Sequence, residues 1–405
     1  MSVSHRTLTI AFVQIGMLVG IFIVLTPREQ GHPTLVDGPG NKGVDLKNLN
    51  SQSTIVDNEV THEFLTVGDQ KTAWKVSYSI SQPRPGLLIT GAWFKTGPTA
   101  PWFYAVGELR LSEIFVPYAN GTTRLYDLGA QGDYELLQHT RADGGFNSIL
   151  LSNGLVIKEI RDSGILWKYY DKVRRGQELV LWSTIGATNY NYIVEYAFRC
   201  DGSITCRLGS TGKNLANHES IGHLHHGCWR IDLNIGDKNH NSVGVIQHSE
   251  QQAGKGQAED LIEYLKTEGG IEWKAESFTR LRVESKLKNS HGNLISYELV
   301  PQRNGTPRHF GPDEEFSAYD FWVTPYKFDE LYYCHLPNYV KKGRSITDTD
   351  VVIWYMSSAY HVPRDEDGIF INARGQIEIR GVALTTWSGL EMRPRNLFDQ
   401  SPLYP

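Results

Sequence analysis

Short hydrophobic segments separated by turn-forming residues run through most of the chain from residue 74 onward. Runs of about four to eight aliphatic and aromatic residues, bounded by Gly, Pro, Asn and Asp, are typical of β-strands. The pattern predicts eight such strands, at residues 74–80, 87–94, 179–185, 192–198, 229–235, 243–246, 321–326 and 351–355. This alternation of strands and turns predicts a mostly β protein in which sheets pack on sheets.

Two local patterns refine this prediction. Cys200-Asp201-Gly202-Ser203 predicts a tight hairpin turn after the strand at 192–198, because Asp-Gly tolerates the backbone that a short connection needs. Residues 258–266 are predicted to form a helix between strands. No glycine-rich loop leads from a strand into a helix, which argues against a nucleotide-binding α/β fold.

The N-terminus has a different pattern. Residues 8–25 form an 18-residue run without charge, which is just long enough to span a bilayer. Arg6 precedes this run and no small-residue cleavage site follows it, so residues 1–29 are predicted to be a retained signal-anchor rather than a cleaved signal peptide. Residues 30–60 are predicted to be a flexible tether, and residues 61–405 to form the folded body.

Either form of this N-terminal signal exports the rest of the chain, to a membrane-anchored or a secreted location. In an oxidising compartment the four cysteines could form disulfides in three possible pairings, and free buried thiols are the alternative. These cysteines are Cys200, Cys206, Cys228 and Cys334, and the possible glycan acceptors are Asn120 and Asn304.

Composition supports a β fold and excludes one class of partner. The chain has 15 Phe, 20 Tyr, 10 Trp and 39 Gly, a balance that favours pleated sheets and turns over helices. Forty Lys and Arg against 45 Asp and Glu give a net charge of −5, and the basic residues form no continuous stripe. A nucleic acid is therefore not expected as a partner.

The densest group of chemically active residues is the run of residues 223–234. In a strand His223 and His225 project from one face, together with Trp229, Ile231 and Leu233. Two imidazoles aimed into an apolar interior are costly to bury unless a metal organises them, although a hydrogen-bonded core histidine is the alternative. Zinc, copper, nickel and iron all fit such ligands. The opposite face carries Arg230, Asp232 and Asn234. The side-chain oxygens of Asp232 and Asn234 could hold calcium, and a solvated strand face is the alternative.

At these residues the chain resembles the copper amine oxidases, which oxidise primary amines with a quinone cofactor. In that family a His-x-His motif is followed, five residues after its second His, by Arg, a hydrophobic residue and Asp. Here His225 is the second His, and Arg230, Ile231 and Asp232 match the three residues that follow. The run Asp350-Val351-Val352-Ile353-Trp354-Tyr355, followed by His361, resembles the segment that supplies the third copper ligand. The resemblance therefore implies a copper site made of His223, His225 and His361.

The same resemblance implies the organic cofactor and its neighbours. Asn189-Tyr190-Asn191-Tyr192 is similar to the family's cofactor motif, in which Asn189 would flank the cofactor and Tyr190 would be the topaquinone precursor. Tyr118 ends a segment similar to the strand that places a tyrosine against the quinone. Asp127 falls where the family has its catalytic base, and Asp133 is the nearest alternative carboxylate.

Some positions depart from the family pattern. Asn191 stands where Asp or Glu is usual, and Gly186 replaces a hydroxyl residue. Met356 and Ser358 replace the usual Thr and Gly ahead of the third ligand. A possible peripheral calcium site is implied, with Asn234 in place of an Asp, and this lost charge should weaken calcium binding. Its residues are Asp232, Asn234 and Asp350, with the carbonyls of Leu233 and Val351.

The resemblance extends from about residue 74 to the end of the chain. It implies the large catalytic β-sandwich of the family, a homodimer, and oxidation of a primary amine by O2 to an aldehyde, ammonia and hydrogen peroxide. One alternative is a copper-binding relative that makes no quinone, which Asn191 favours. A second is a cell-surface β-sandwich binding module whose histidine cluster is incidental. The identity of the amine is not predicted.

Overall fold

The computed structural model describes residues 58–66, 71–81, 86–119, 121, 123–128, 134–187, 189–215, 218–249, 259–274, 277–302, 313–401 and 403. The predicted anchor, most of the predicted tether, the glycan acceptors Asn120 and Asn304, and Asp133 lie outside the described residues. Within these ranges no helix is both long and apolar enough to cross a bilayer.

Strands make up most of the described chain, and a single short α-helix, α1, covers Leu336–Val340. Short 3₁₀ turns cover Ser152–Gly154, Glu315–Ser317 and Tyr333–His335. The strands are β1 (Asn58–Leu65), β2 (Lys71–Ser81), β3 (Gly86–Lys95), β4 (Phe103–Pro117), β5 (Arg124–Tyr126), β6 (Tyr134–Leu136), β7 (Ile149–Leu151), β8 (Val156–Tyr169), β9 (Lys172–Ala187), β10 (Tyr190–Arg199), β11 (Ile204–Gly212), β12 (His223–Leu233), β13 (Asn241–Ser249), β14 (Glu259–Tyr264), β15 (Gly269–Ile271), β16 (Arg280–Lys288), β17 (Leu294–Gln302), β18 (Phe321–Pro325), β19 (Val351–His361), β20 (Ile369–Ile371), β21 (Ile377–Ile379) and β22 (Ala383–Arg395).

Two large antiparallel sheets contain nearly all of these strands. The first has the order β1-β2-β3-β4-β12-β19-β18-β15, with β5 also paired to β4. The second has the order β14-β13-β16-β17-β22-β11-β10-β9-β8-β7, with β6 also paired to β9. Strands β20 and β21 form a separate two-stranded ribbon. The predicted mostly β class is confirmed.

The main core lies between the inner faces of the two sheets. Trp74 and Trp229 come from the first sheet, whereas Tyr196 and Leu208 come from the second, and all four are buried in one hydrophobic cluster. Side chains that alternate along each strand supply these inner faces, as expected for packed sheets. Buried hydrogen bonds also join the sheets: the Thr72 hydroxyl on β2 donates to the Cys200 carbonyl at 2.7 Å.

All eight predicted strands exist, most of them as parts of longer strands, and several other strands were missed. Two predicted ends are too late, because β12 ends at Leu233 and β18 at Pro325. The Asp-Gly turn is also confirmed, because Gly202 has a φ of +87° and lies in the short connection from β10 to β11. Cys200, Cys206 and Cys228 are free thiols, so the structure supports the free-thiol alternative for these three.

The predicted helix at residues 258–266 is wrong. Residues 259–264 form β14, which pairs with β13 from Gly244 opposite Tyr264 to Ser249 opposite Glu259. β14 lies at the end of the second sheet, where an exposed row of β13 backbone groups would otherwise lack partners. Pairing along this ladder therefore outweighs the local helix propensity on which the prediction rested.

Candidate metal centre and active site

Three imidazoles meet where β12 and β19 lie side by side. His223 is directly opposite His361 in the antiparallel register, and His225 lies two residues further along β12 on the same face. One ring nitrogen from each histidine lies within 4.8 Å of the others, and all three side chains are buried. The predicted shared face of His223 and His225 is confirmed, and the structure places His361 beside them.

Hydrogen bonds orient the imidazoles toward a common centre. We assign His223 Nδ1 as the donor to the Ile221 carbonyl at 3.1 Å, and His361 Nε2 as the donor to Asp367 Oδ2 at 3.3 Å. His223 Nε2 and His361 Nδ1 then face each other at 3.2 Å. His225 Nε2 is buried and has no hydrogen-bond partner among the described residues. This arrangement, with lone pairs directed inward, fits a metal ion.

Protonation does not compete strongly with a metal at this centre. Burial lowers the pKa of His223 to about 4, and the pKa values of His225 and His361 are also lowered, chiefly by burial. The Asp367 carboxylate opposes this effect at His361, and Arg364 holds that carboxylate at 2.6 Å. All three imidazoles are therefore neutral near pH 7, the form in which histidine binds metals.

Tyr190 lies against the triad. It is the first residue of β10, and its hydroxyl is 2.7 Å from His361 Nδ1 and 3.3 Å from His223 Nε2. Its ring centroid is 4.5 Å from that of His225. Asn191 is exposed on the other side of β10, as the strand period requires. The residue predicted as the topaquinone precursor is therefore in contact with the predicted copper ligands.

Asn189 positions the start of β10 by hydrogen bonds to the backbone of Lys213. Its side-chain amide donates to the Lys213 carbonyl at 2.7 Å, and the Lys213 N–H donates back to the Asn189 carbonyl at 2.8 Å. A Cβ on Gly212 would lie 2.4 Å from the Asn189 carbonyl oxygen, so this close approach requires glycine. These contacts fix the start of β10 and hence the position of Tyr190.

A short loop after β5 brings Asp127 to the same region. The Asp127 N–H donates to the Ile114 carbonyl and the Leu128 N–H donates to Glu113 Oε1, both at 2.9 Å, which ties the loop to β4. Burial raises the pKa of Asp127 to about 6, and a hydrogen bond from Tyr192 acts in the opposite direction. A carboxyl group with this pKa is well suited to accept a proton near neutral pH.

Tyr192 is a candidate site residue to which the sequence assigned no role. Its hydroxyl donates to Asp127 Oδ2 at 2.5 Å and lies 3.4 Å from His225 Nδ1. It thus connects the candidate base to a candidate ligand. The signal was present in the sequence, because Tyr192 shares the strand face of Tyr190.

Tyr118 packs against the triad from β4. It follows the last residue of this strand and forms an isolated bridge with His223, and the two rings stack at 4.4 Å with an 18° interplanar angle. Burial raises the pKa of Tyr118, and the nearby Asp127 carboxylate adds to this effect. Tyr118 therefore keeps its phenolic proton at neutral pH. The structure brings all of the predicted catalytic residues to one region.

A second polar cluster lies at the other end of β12. Asp232, Asn234 and Asp350 each have a buried Oδ1 atom without a hydrogen-bond partner among the described residues. Burial and the neighbouring Asp350 raise the pKa of Asp232 to about 8, and burial raises that of Asp350 to about 6. The positive charges near these two carboxyl groups are therefore too few to offset the cost of burying them ionised. Unpaired oxygens of this kind fit a calcium ion.

The solvated-face alternative for Arg230, Asp232 and Asn234 is wrong, because all three are at least 95% buried. Arg230 donates to the carbonyls of Glu330 and Lys327, and its guanidinium lies 4.9 Å from the Tyr326 ring centroid. Loops and short helical turns cover this face of the sheet, an arrangement that the local strand pattern could not predict.

Comparison with known sequences decides the family. A profile described as "Copper amine oxidase, enzyme domain" matches residues 117–404. The chain belongs to the copper amine oxidase family. The matched residues include all three histidines, Tyr190 and Asp127. The family resemblance inferred from the sequence motifs is confirmed.

Related proteins are about a quarter identical to this chain over the aligned residues. Primary amine oxidase 2 of Arabidopsis thaliana is 27% identical over 386 residues, covering 79% of this chain and 56% of the relative. Copper amine oxidase 1 of Aspergillus niger is 28% identical over 404 residues, covering 81% and 58% respectively. The chain spans about half the length of the curated relatives it matches.

Solved structures confirm the fold of this chain. A copper-containing benzylamine oxidase from Hansenula polymorpha aligns with a TM-score of 0.63 at 16% identity, covering 82% of this chain and 60% of that one. The Aspergillus nidulans amine oxidase aligns with a TM-score of 0.60 at 17% identity, covering 82% and 52%. The predicted catalytic β-sandwich of the copper amine oxidase type is therefore confirmed.

The triad geometry leads to a first prediction about metal binding. We expect His361→Ala to weaken copper binding by at least a hundredfold, because one of three neutral ligands is removed from a buried centre. Elemental analysis after dialysis against a weak chelator measures this loss. His291→Ala is the matched control, since His291 is exposed and its side chain bonds to the Asp399 carbonyl. Full copper occupancy in His361→Ala would contradict the assignment of the third ligand.

Proposed function

We propose that the chain is a primary-amine oxidase that uses copper bound by His223, His225 and His361 and a topaquinone made from Tyr190. It would convert a primary amine, O2 and water to an aldehyde, ammonia and hydrogen peroxide. The observation that supports this proposal most directly is the Tyr190 hydroxyl, which lies within hydrogen-bond distance of two histidines of the triad. A tyrosine must be this close to a metal for the metal to promote oxidation of its ring.

The surrounding residues have defined roles in this proposal. When formed, the quinone supplies an electrophilic carbonyl and accepts two electrons, and copper assists the reaction with oxygen. Asp127 accepts the proton that leaves the carbon next to the amine nitrogen. Tyr192 donates a hydrogen bond to the ionised Asp127, which keeps this carboxylate oriented. Tyr118 presents a protonated hydroxyl in the same buried region and fixes the His223 ring by stacking.

The proposal is tested by reconstitution. Metal-free protein given copper and O2 should develop a visible chromophore, which phenylhydrazine should trap with a stoichiometry of about one per chain. Reconstituted protein that has not been treated with phenylhydrazine should release peroxide with one or more members of a panel of primary amines. Protein that binds copper but stays colourless, and releases no peroxide with any amine, would instead support the quinone-free alternative that Asn191 favours.

We also propose that Asp232, Asn234 and Asp350, with the carbonyls of Leu233 and Val351, bind calcium. The three buried, unpartnered oxygens support this proposal. The Leu233 carbonyl already accepts a hydrogen bond from Asn241 Nδ2 at 3.2 Å, which orients it in the same loop. Asn234 contributes no charge, so we expect weaker binding than at a site with three carboxylates.

A stability measurement against pH tests the calcium proposal. The pKa of Asp232 rises on folding from its ordinary value to about 8, so the folded protein binds this proton more tightly than the unfolded chain does. The free energy of unfolding should therefore fall as pH rises from about 4 to 8 without calcium. Calcium should raise the melting temperature by several degrees at pH 8 and by less at pH 5, because protons compete for the same oxygens.

Calorimetry at both pH values, with and without calcium, measures this effect. Asp237→Asn is a matched control, because Asp237 lies half-buried on the following turn and bonds to His240. Asp232→Asn should abolish the response to calcium. An unchanged melting temperature of the wild-type protein at pH 8 with millimolar calcium would contradict the calcium proposal.

Export and assembly are also part of the proposal. The uncharged run at residues 8–25 supports export with a membrane anchor, and the family resemblance supports a homodimer. Cell fractionation with an alkaline carbonate wash tests the anchor, since an integral segment stays with the membrane. Sedimentation of the purified protein tests the dimer.

A further inference from the structure

Asn214 lies between the two loops that orient the outer ligands of the triad. It follows the end of β11 and is 98% buried. Its side-chain Nδ2 donates to the Asp367 carbonyl at 2.9 Å and to the Glu219 carbonyl at 3.2 Å. One buried amide therefore connects a loop that precedes β12 to a loop that follows β19.

Each of these loops carries the hydrogen-bond acceptor of a candidate ligand. The Asp367 carboxylate accepts the hydrogen bond from His361 Nε2. Glu219 lies two residues before Ile221, whose carbonyl accepts the hydrogen bond from His223 Nδ1. The Asn214 amide thus contacts the backbone of Asp367 directly and reaches the Ile221 turn through Glu219.

The contact between Asn214 and the Asp367 loop is close. Gly368 has a φ of +88°, and a Cβ at this position would lie 2.6 Å from the Asn214 backbone nitrogen. Any residue with a Cβ would push the Asp367 loop away from Asn214, so the positive φ and the close packing both require glycine here.

The residue before Asn214 makes a third connection. The backbone of Lys213 accepts from the Asn189 side chain and donates to the Asn189 carbonyl, immediately before Tyr190. The Lys213–Asn214 segment therefore joins the start of β10 to both ligand-orienting loops. Tyr190, His223 and His361 come from three different strands, and the Lys213–Asn214 segment bonds to a segment next to each of them.

We propose that Asn214 is a positioning residue for the metal centre, which sets the orientation of His361 through Asp367 and that of His223 through the turn at Glu219 and Ile221. This inference rests on the proposed copper site. Partners that hold a ligating imidazole by its second nitrogen commonly change metal affinity by about 10- to 100-fold when they are lost. Asn214 acts on those partners one step further out, so we expect an effect near the lower end of this range.

Copper affinity distinguishes positioning from a purely structural role. A buried amide that only stabilises the fold would lower the melting temperature of the metal-free protein and leave its copper affinity unchanged. A positioning residue would also weaken copper binding and alter the Cu(II) electron paramagnetic resonance spectrum, since the orientation of two ligands changes. Both quantities can be measured without turnover.

The experiment compares Asn214→Leu with Thr72→Val in the full chain. Leu is close to Asn in shape but has no amide, so Asn214→Leu removes two hydrogen bonds. Thr72→Val removes one buried hydrogen bond, to the Cys200 carbonyl just after β10 ends, at the opposite end of that strand from Tyr190. Both variants should have a lower melting temperature without metal. Only Asn214→Leu should weaken copper binding in a chelator competition, by about tenfold, with a changed spectrum.

Two further variants complete the test. Asn214→Asp keeps the size of the side chain but has no donor, and should also weaken copper binding if Asn214→Leu does not fold. In an Asp367→Ala background the loss caused by Asn214→Leu should be smaller than in the wild type, because the carboxylate that orients His361 is gone and only the route through Glu219 and Ile221 to His223 remains. Copper affinity equal to wild type in both Asn214 variants, or losses that multiply independently of Asp367, would overturn the inference. A wild-type chain that binds no copper would instead contradict the proposed function.

Discussion

Tyr190→Phe should bind copper with nearly wild-type stoichiometry yet remain colourless and catalytically inactive. The three imidazoles that form the candidate site are unchanged in this variant, whereas the ring that copper and O2 would oxidise lacks its hydroxyl. We expect no phenylhydrazine-trapped chromophore and no peroxide release above the background of free copper. Metal analysis and absorption spectra of the same sample measure both quantities.

Tyr196→Phe is the matched control for this prediction. Tyr196 lies on the same face of β10 and is completely buried, but its hydroxyl donates to the Leu87 carbonyl at 3.3 Å, away from the triad. This variant should form the chromophore normally. A chromophore of wild-type intensity in Tyr190→Phe would refute the assignment of the precursor and transfer attention to Tyr192.

Asp127→Asn should retain copper and chromophore but lose turnover by about a hundredfold or more. An amide keeps the shape of the carboxylate but cannot accept the proton, and loss of a general base usually costs about 10²- to 10⁴-fold. Steady-state kinetics with the best amine measure this loss. Asp162→Asn, on the exposed part of β8, is the control. Retained turnover in Asp127→Asn would move the role of the base to another carboxylate, with Asp133 the nearest candidate.

The pH dependence gives an independent check on the same residue. Because the pKa of Asp127 is about 6, kcat/KM calculated for the unprotonated amine should rise about tenfold per pH unit below pH 6 and level off above it. Tyr192→Phe removes the hydrogen bond that stabilises the ionised form, so the midpoint of this rise should move to higher pH. A midpoint unchanged by Tyr192→Phe would show that a different group controls the profile.

Local pattern was sufficient to predict the parts of the structure that depend on side-chain alternation. The paired face of His223 and His225 and the opposite orientation of Asn191 both follow from the two-residue period of a strand. The hairpin at Gly202 follows from its tolerance of positive φ. These features depend on neighbours within a few residues along the chain.

Features that depend on distant segments were not accessible in this way. His361, Tyr190 and Asp127 were assigned from the family resemblance, because strand spacing contains no information on which strands pair. The burial of Arg230 depends on loops near residues 327 and 330, and the formation of β14 depends on pairing with β13. Asn214 has no motif at all, since its role is visible only where three segments meet.

The register of β12 and β19 also determines when the protein can receive its metal. His223 and His361 lie 138 residues apart in the chain, and they become neighbours only when these two strands are paired. Closing a loop of this length costs chain entropy that the paired strands of the folded sheet have already offset, so the unfolded chain gathers this ligand set less readily than the folded protein does. Metal loading should therefore follow folding of the C-terminal strands, and a growing chain that has not yet produced β19 should take up copper no better than any other polypeptide. Once loaded, the ion would link two strands from distant parts of the sequence and so oppose their separation when the protein unfolds.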